Sequence, residues 1–495
     1  MMFSSEILSS IQAKMTGTTQ GFSLILPELV IGFWILISLF ADLFLHGKSA
    51  KFTNSWRYLI TQLGLLLAFG LSAQRISQGL SGFVSFQLFL VNIGSNTTNA
   101  LILALSIVLI GLNQVHRKGF SLEENIGFSS ILLGSLLTTM SAHFLTMFLS
   151  LELISMGTYI LVGMRKDATG ARAALPYVLF GLGSSAILLY GISLIYGLSG
   201  NMYLLSADIS RGLSTADPIY AYLALGLLAV GILFKMAWVP FHPWSPDVLE
   251  SLPAAWMSWI SVAPKIAVSV LGIKLIHYFP LSMVSAISIL ALATLLVGNL
   301  AAMGQKNSKR LLAYSSIAHG GFMAMVWLFP ADQALKALLF YGFLYGISTY
   351  LVFYQVDEVT GYSIQSDDMN RWTGYAQQNP LRAATLLMGL IGLIGLPPAG
   401  TFLAKVSYFT QLWEKYQNGQ QPIVLVLLVI ALILTAVSVF YYLRIPYFIY
   451  LKKGENDLQV SRTKLSGSDW GYVMLAILLI GALINPDLFF ELLKV

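Results

Sequence analysis

Residues 258–279 read SWISVAPKIAVSVLGIKLIHYF, an apolar stretch with a lysine, Lys265, near its middle. It is long enough to cross a bilayer, since about 20 helical residues span the hydrocarbon core. Carried out to its polar breaks, the run covers about 252–279. That leaves Lys265 roughly thirteen residues, or about 20 Å of helix at about 1.5 Å per residue, from either end. A lysine stem does not snorkel that far. A charge at mid-bilayer costs about 2.5–3.5 kcal/mol even on forgiving insertion scales, so such groups are rare and mark ion or proton paths. Two readings of Lys265 stay open: a lysine paired to a neighbour for structure alone, or a group that loads and releases a proton. An amine withdrawn from water holds its proton less tightly, which suits the second.

The rest of the chain is of the same kind. Its 495 residues are 57% hydrophobic and 10% charged, with mean hydropathy +0.75. Soluble domains carry about 25% charged residues, so this chain cannot face water all round and reads as an integral membrane protein. The net charge of +6 does not point to nucleic acid, because the bases fall in short loops where lipid headgroups and orientation account for them. There is no cysteine, which excludes disulfides, thiolate metal sites and iron–sulfur ligation by this chain. The six histidines are scattered without metal-ligand spacing. Residues 1–20 are mixed and polar, unlike a cleavable signal.

Apolar runs between polar breaks predict an all-α polytopic fold of about fourteen spans, at about 22–45, 56–74, 97–114, 125–141, 144–164, 172–198, 218–240, 252–279, 281–304, 312–329, 333–356, 380–413, 422–450 and 471–493. Helices are required because a lipid-exposed backbone must satisfy its own hydrogen bonds. Abundant Gly, Ala and Ser let helix backbones approach closely. Only Ala142 and His143 separate the fourth and fifth runs.

Basic residues set the orientation. Lys48, Lys51 and Arg57 follow the first span, Arg117 and Lys118 the third, and Arg165, Lys166 and Arg172 the fifth. Lys306, Lys309 and Arg310 follow the ninth, and Lys452, Lys453, Arg462 and Lys464 the thirteenth. Even-numbered connections hold mostly single bases such as Arg75, Arg211 and Lys415, and the Asp247/Glu250 connection holds acids only. The positive-inside rule then places the odd connections in the cytoplasm and both termini on the outer (periplasmic) side.

Three more charges lie deep in apolar runs. Glu152 sits near the middle of HFLTMFLSLELISMGTYILVGM (143–164), either as a protonated acid bonded to a facing helix or coupled to Lys235, whose charge in low dielectric would act strongly on it. Lys235 lies in GILFKMAWVPFHPWSP (231–246). Pro240 there either ends the span or breaks a helix that resumes beyond Phe241 and Trp244, as happens where protein or a cavity satisfies the freed backbone. Lys405 lies one to two turns past Pro397, Pro398 and Gly400, in a run too long for one straight span. A broken helix beside a buried base is a transporter signature. His319, in YSSIAHGGF (314–322), is a candidate relay or a satisfied structural histidine, and His242 at the Pro240 break is similar. Lys274 and Lys336 lie nearer span ends, where snorkelling is expected. Glu28, after Pro27, is a further acid in the first span.

Lys235 and Lys405 lie five spans apart, and so do Glu152 and His319 at nearly the same offset. Five is odd, so the halves would face opposite ways, which is the layout of inverted repeats with ion sites at their interface. The corresponding division is 1–121 for three N-terminal helices, 122–280 for a first five-helix repeat, 281–450 for a second, inverted one, and 451–495 for a loop and the last helix.

Together, LSLELISMGTYILVG (149–163), LFKMAWVPFHPWSPDV (233–248), NSKRLLAYSSIAHGGF (307–322) and GLPPAGTFLAKVSYF (395–409) resemble the proton-pumping antiporter-like subunits of respiratory complex I, the NADH-quinone oxidoreductase subunit N family. The resemblance covers roughly residues 22–493, and ALPYVLFGLGSSAILLYGISLIYG (174–197) is also similar to the N type. L-type relatives carry an extra C-terminal lateral helix, and M-type relatives a Glu where this chain has Lys405. The resemblance implies roles residue by residue: Glu152 pairs with a lysine, Lys235 is that lysine, Lys265 is a central proton carrier and Lys405 the terminal one. It implies proton translocation in the bacterial inner (plasma) membrane, coupled to electron transfer from NAD(P)H to quinone. It also implies a translocase subunit without a redox site of its own. No cofactor would be bound here, with quinone, FMN and iron–sulfur clusters belonging to partner subunits. The partners implied are neighbouring antiporter-like and small membrane subunits, and lipids. The alternative is a subunit of a multi-subunit cation/proton antiporter or a membrane-bound hydrogenase, which share these motifs. The chain departs from many relatives at Pro176, where they carry Lys, and at SLPAAWMSW (251–259), where they tend to have Gly-Ala-Pro.

Overall fold

A computed structural model describes residues 21–44, 50–116, 120–164, 168–360, 369–452 and 467–493. Lys48, Arg117, Lys118, Arg165, Lys166, Lys453, Arg462 and Lys464, used in the orientation argument, lie outside them. The apolar runs form helices α1 (Leu26–Phe44), α2 (Ala50–Ser77), α3 (Ile93–His116), α4 (Leu122–Met140), α5 (Phe144–Gly163), α6 (Ala168–Ser199), α7 (Ala207–Thr215) and α8 (Pro218–Lys235). They continue as α9 (Trp244–Ser251), α10 (Ala254–Leu275), α11 (Leu281–Met303), α12 (Ser308–Ala324), α13 (Ala331–Thr360), α14 (Pro380–Ile394), α15 (Thr401–Gly419), α16 (Pro422–Tyr442), α17 (Gly467–Ile484) and α18 (Asp487–Leu493).

Among the described residues, ten helices are long and apolar enough to cross a membrane. Part of the difference from fourteen runs has visible causes. The 380–413 run is divided, and α14 alone has 15 residues, about 22 Å at 1.5 Å per residue and short of a bilayer core. The first turn of α4 carries Glu123 and Glu124. The fold is not purely helical either: Gly82–Val84 (β1) and Phe89–Val91 (β2) pair antiparallel between α2 and α3. These strands and the short α7 and α9 escape a search for long apolar runs.

The narrow gap at Ala142 and His143 is real. α4 carries a capping box between Ser121 and Glu124 and stops at Met140. The His143 side chain then accepts from the Leu145 N–H and starts α5. α4 and α5 cross with backbones nearly touching. A Cβ on Gly134 would meet Ile154 N at 2.8 Å, and one on Gly157 would meet the Gly127 carbonyl at 2.7 Å. Gly157→Ala is therefore expected to push α5, and Glu152 with it, out of place. The check is the amount of assembled subunit in membranes, which should fall severalfold, the usual consequence of overpacking by about 1–3 kcal/mol.

The helices sort by exposure. Apolar side chains of α1, α2, α6, α8, α16 and α17 are exposed, such as Phe33, Leu63, Phe180, Ile219, Ile433 and Ile477. In contrast, α10, α12 and α13 are buried along most of their length. A charged side chain on their buried stretches has no lipid or water to reach and must find partners inside the bundle.

The helix carrying Lys235 ends at that residue. Ala237 adopts a positive φ of 53°, and the chain runs irregularly past Pro240 and Pro243 before α9. The freed backbone is satisfied within the protein: Val239 N donates to Thr294 Oγ1 at 3.1 Å. The Trp238 indole, beside it, donates to the Gly320 carbonyl at 3.1 Å. Both earlier readings of Pro240 thus contain part of the answer, since the helix stops and a short one resumes. α14 likewise ends at Gly395, whose φ of +83° needs glycine, and Gly400 N bonds the Leu479 carbonyl at 2.8 Å. Lys235 precedes its break, whereas Lys405 follows its own.

Candidate functional site

α5 and α8 bring the first charge pair together. Lys235 Nζ lies 3.1 Å from Glu152 Oε1, with side chains 6% and 13% exposed. Ser185 of α6 donates to the same carboxylate oxygen at 2.5 Å, and Lys235 also donates to Ser155 Oγ. Tyr177 stacks on Trp244 with ring centroids 4.5 Å apart, and Phe234 packs beside Trp244 at 5.5 Å. These rings wall the pair off. A buried pair of this kind is tolerable only because its remaining lone pairs and protons find hydroxyls.

Lys265 is buried at 4% exposure and has no carboxylate among the described residues within ion-pair distance. Its ammonium donates to the Ser316 carbonyl and to Ser316 Oγ at 2.6 Å. Lys235 and Lys265 face one cavity, with Ser155, Thr158, Ser261 and Ser316 also on its wall. It holds about 20 Å³ for the centre of a water molecule, enough for one water.

Lys405 is buried to the same degree. It donates to the Ile394 carbonyl at 2.7 Å, at the C-terminal end of α14, where the helix dipole favours a cation. Its ammonium also lies 4.7 Å above the Phe322 ring. Gly395 leaves room for the lysine stem, because a Cβ there would meet Lys405 Cδ at 2.6 Å. A second cavity of about 10 Å³ is shared by Lys405, His319, Asn299, Ser438 and Tyr441.

His319 lies between the two lysines. Its Nδ1 is 2.8 Å from the Tyr341 hydroxyl and its Nε2 3.2 Å from that of Tyr442. Ser316, which holds Lys265, sits one turn earlier on α12. The Tyr345 ring packs 4.5 Å from His319. The structure therefore brings Glu152 and Lys235 into contact, Lys235 and Lys265 onto one cavity, and His319 and Lys405 onto another, with α12 joining the two. His242 lies apart from this line, partly exposed with Nδ1 unbonded.

Several polar partners were not anticipated. Ser155 and Ser185 give no signal by themselves, although Ser316 shares a helix face with His319 at i, i+3. Arg75, counted among the surface bases, is buried and binds both oxygens of Glu28 at 2.9 and 3.1 Å, with Asn99 Nδ2 2.8 Å from Oε1. Lys274 does not snorkel: it donates to the carbonyls of Thr139 at 2.5 Å and Ser141 at 3.2 Å, closing the end of α4. Lys309 forms a buried pair with Asp357 at 3.0 Å. Pro176 is inside α6 and exposed, while the next residue, Tyr177, lines the Lys235 cavity.

Residues 141–435, which hold all five candidates, match the family described as NADH:quinone oxidoreductase/Mrp antiporter, TM. The chain belongs to this family. Within it, the chain is 33% identical over 374 residues to NADH-quinone oxidoreductase subunit N 2 of Chloroherpeton thalassium, covering 72% of this chain and 71% of that one. It is also 33% identical over 447 residues to NAD(P)H-quinone oxidoreductase subunit 2 of Synechococcus elongatus, covering 87% and 81%. A chain of respiratory complex I from Thermus thermophilus superposes with TM-score 0.76 at 28% identity, covering 93% of this chain and 98% of its own length.

Proposed function

We propose that this chain is a proton-translocating membrane subunit of an NADH:quinone oxidoreductase, carrying protons along Glu152, Lys235, Lys265, His319 and Lys405 while electron transfer runs in partner subunits. The observation that carries the reading is a line of buried ionisable groups: Glu152 touches Lys235, Lys235 and Lys265 line one cavity, Lys265 bonds Ser316 one turn before His319 on α12, and His319 and Lys405 line a second cavity. Named relatives of the same family, with matching coverage, support the oxidoreductase assignment. In this reading the chain has about fourteen spans, two inverted five-helix repeats at 122–280 and 281–450 meet at the line of charges, and both termini face the periplasm.

The chemistry follows from the geometry. With Glu152 and Lys235 paired, the positive charge of Lys235 is offset by the carboxylate 3.1 Å away. When the pair opens, that charge is no longer offset in the cavity that Lys265 also faces. Two like charges across a cavity of one water repel strongly in low dielectric, so the proton on Lys265 moves to the Ser316–His319 side. His319 hands it toward Lys405, which releases it outward once a charge has arrived behind it. The coupling is reciprocal, so a proton motive force acting on Lys405 resists opening of the pair.

The test is to purify the subunit from its native membrane and reconstitute what comes with it. Flavin and iron–sulfur subunits should co-purify, and proteoliposomes should acidify when NADH and a quinone are supplied. A complex with neither cofactor that exchanges protons for alkali cations would instead make it an antiporter subunit. A co-purified hydrogen-evolving subunit would make it a hydrogenase module.

A further inference from the structure

We propose that Tyr341 and Tyr442 are further members of the proton line, acting as the donor and acceptor hydroxyls on either side of His319. The inference rests on the proton-path reading above. It starts from a geometric fact: both imidazole nitrogens face a phenol, Nδ1 that of Tyr341 at 2.8 Å and Nε2 that of Tyr442 at 3.2 Å. A neutral imidazole has one N–H and one bare nitrogen. One tyrosine therefore donates to the ring while the other accepts from it, and the tautomer decides which.

The Tyr442 ring lies 4.5 Å from that of Tyr441, which lines the cavity that His319 and Lys405 share. The Tyr341 ring lies 5.1 Å from that of Tyr408, which is one helical turn past Lys405 on α15, and 6.2 Å from Phe322 beneath the Lys405 ammonium. The imidazole thus has a phenol on each nitrogen, with Ser316, which holds Lys265, one turn before it on α12.

The step balances. The donating tyrosine gives its hydroxyl proton to the bare nitrogen and takes one from the Lys265 side. The proton on the other nitrogen passes to the accepting tyrosine's oxygen, whose own proton leaves toward Lys405. One proton crosses the ring, no charge remains on it, and the tautomer is reversed. Rotation of both hydroxyls and return of the imidazole to its first tautomer reset the line. Proton hops through a reversed tautomer cannot repeat until that reset, so the triad moves one proton per cycle.

Phenylalanine removes each hydroxyl and keeps the ring. In the intact complex, Tyr442→Phe and Tyr341→Phe are expected to slow NADH-driven proton pumping about 10- to 100-fold, below or within the range of a positioned proton-transfer group. They should also enlarge the solvent deuterium isotope effect, because water must then carry the hop. Tyr408→Phe is the control: its hydroxyl is buried in the same cluster without a partner, and turnover should be unchanged. Rates are taken per bound flavin, so that only assembled complex is counted. Turnover within twofold of the parent for both variants, with an unchanged isotope effect, overturns the proposal. If Lys265→Met and Lys405→Met still abolish pumping in that case, the path stands and only the role of the tyrosines falls. If they pump normally, the path itself is wrong.

Discussion

Lys265→Met is expected to abolish proton-coupled quinone reduction, by about 10²-fold or more on the scale of a positioned proton-transfer group, while the complex still assembles. Methionine matches the length and apolarity of the lysine stem, so α10 keeps its packing and only the ammonium is lost. Ser316 then loses its donor, but its hydroxyl is free to turn, so the cost to stability is small. The sharper variant is Lys265→Arg. Arginine keeps the charge and can still donate to Ser316, but it does not release a proton in proteins. If Lys265 serves only as a fixed cation, arginine restores turnover. If it carries the proton, arginine fails as methionine does. Proton-to-electron ratios in proteoliposomes separate these outcomes. Full pumping by both variants would remove Lys265 from the path.

The second large effect concerns the Glu152–Lys235 pair, and here stability and function should part company. Glu152→Gln keeps a hydrogen-bonding group near Ser185 but strands Lys235 as a buried cation. Breaking one partner of a buried pair costs about 3–5 kcal/mol, so the complex should inactivate at lower temperature as well as stop pumping. Lys235→Met should do the same for the opposite reason. Joining the two removes both charges, and the double variant should regain most of its thermal stability, since neutral replacement of a buried pair is often close to neutral. Pumping should stay lost. The coupling is read from a double-mutant cycle of inactivation temperatures. A pair that serves structure alone would give a double variant that is both stable and active.

The membrane character and the deep charges were legible because both rest on local composition. Fifty-seven per cent apolar residues and runs near the bilayer length leave few alternatives, and Glu152, Lys235, Lys265 and Lys405 stand out against such a background. The helix ends followed closely wherever a proline or a cap marked them, as at Pro218, Pro380 and Pro422. Short elements did not follow. β1, β2, α7 and α9 are each too brief for a period to show against the apolar background. Arg75 and Lys274 misled for a related reason: a base near a span end reads as solvated unless its partner is known. Their partners, Glu28 and the end of α4, lie far away in sequence.

From the chain alone, then, came the medium it lives in and the few groups whose burial is too costly to be idle. Hydropathy and charge are properties of single residues, and the bilayer sums them over about 20 positions. Packing decided who meets whom. Lys235 finds Glu152 because the first break stops its helix opposite α5, and Lys405 finds the end of α14 because Gly395 turns the chain out of its way. His319 stands between hydroxyls from α13 and α16 that share no sequence pattern with it. Hydrogen bonds and charge coupling act over a few ångströms, and distances that short are set only when the helices have packed.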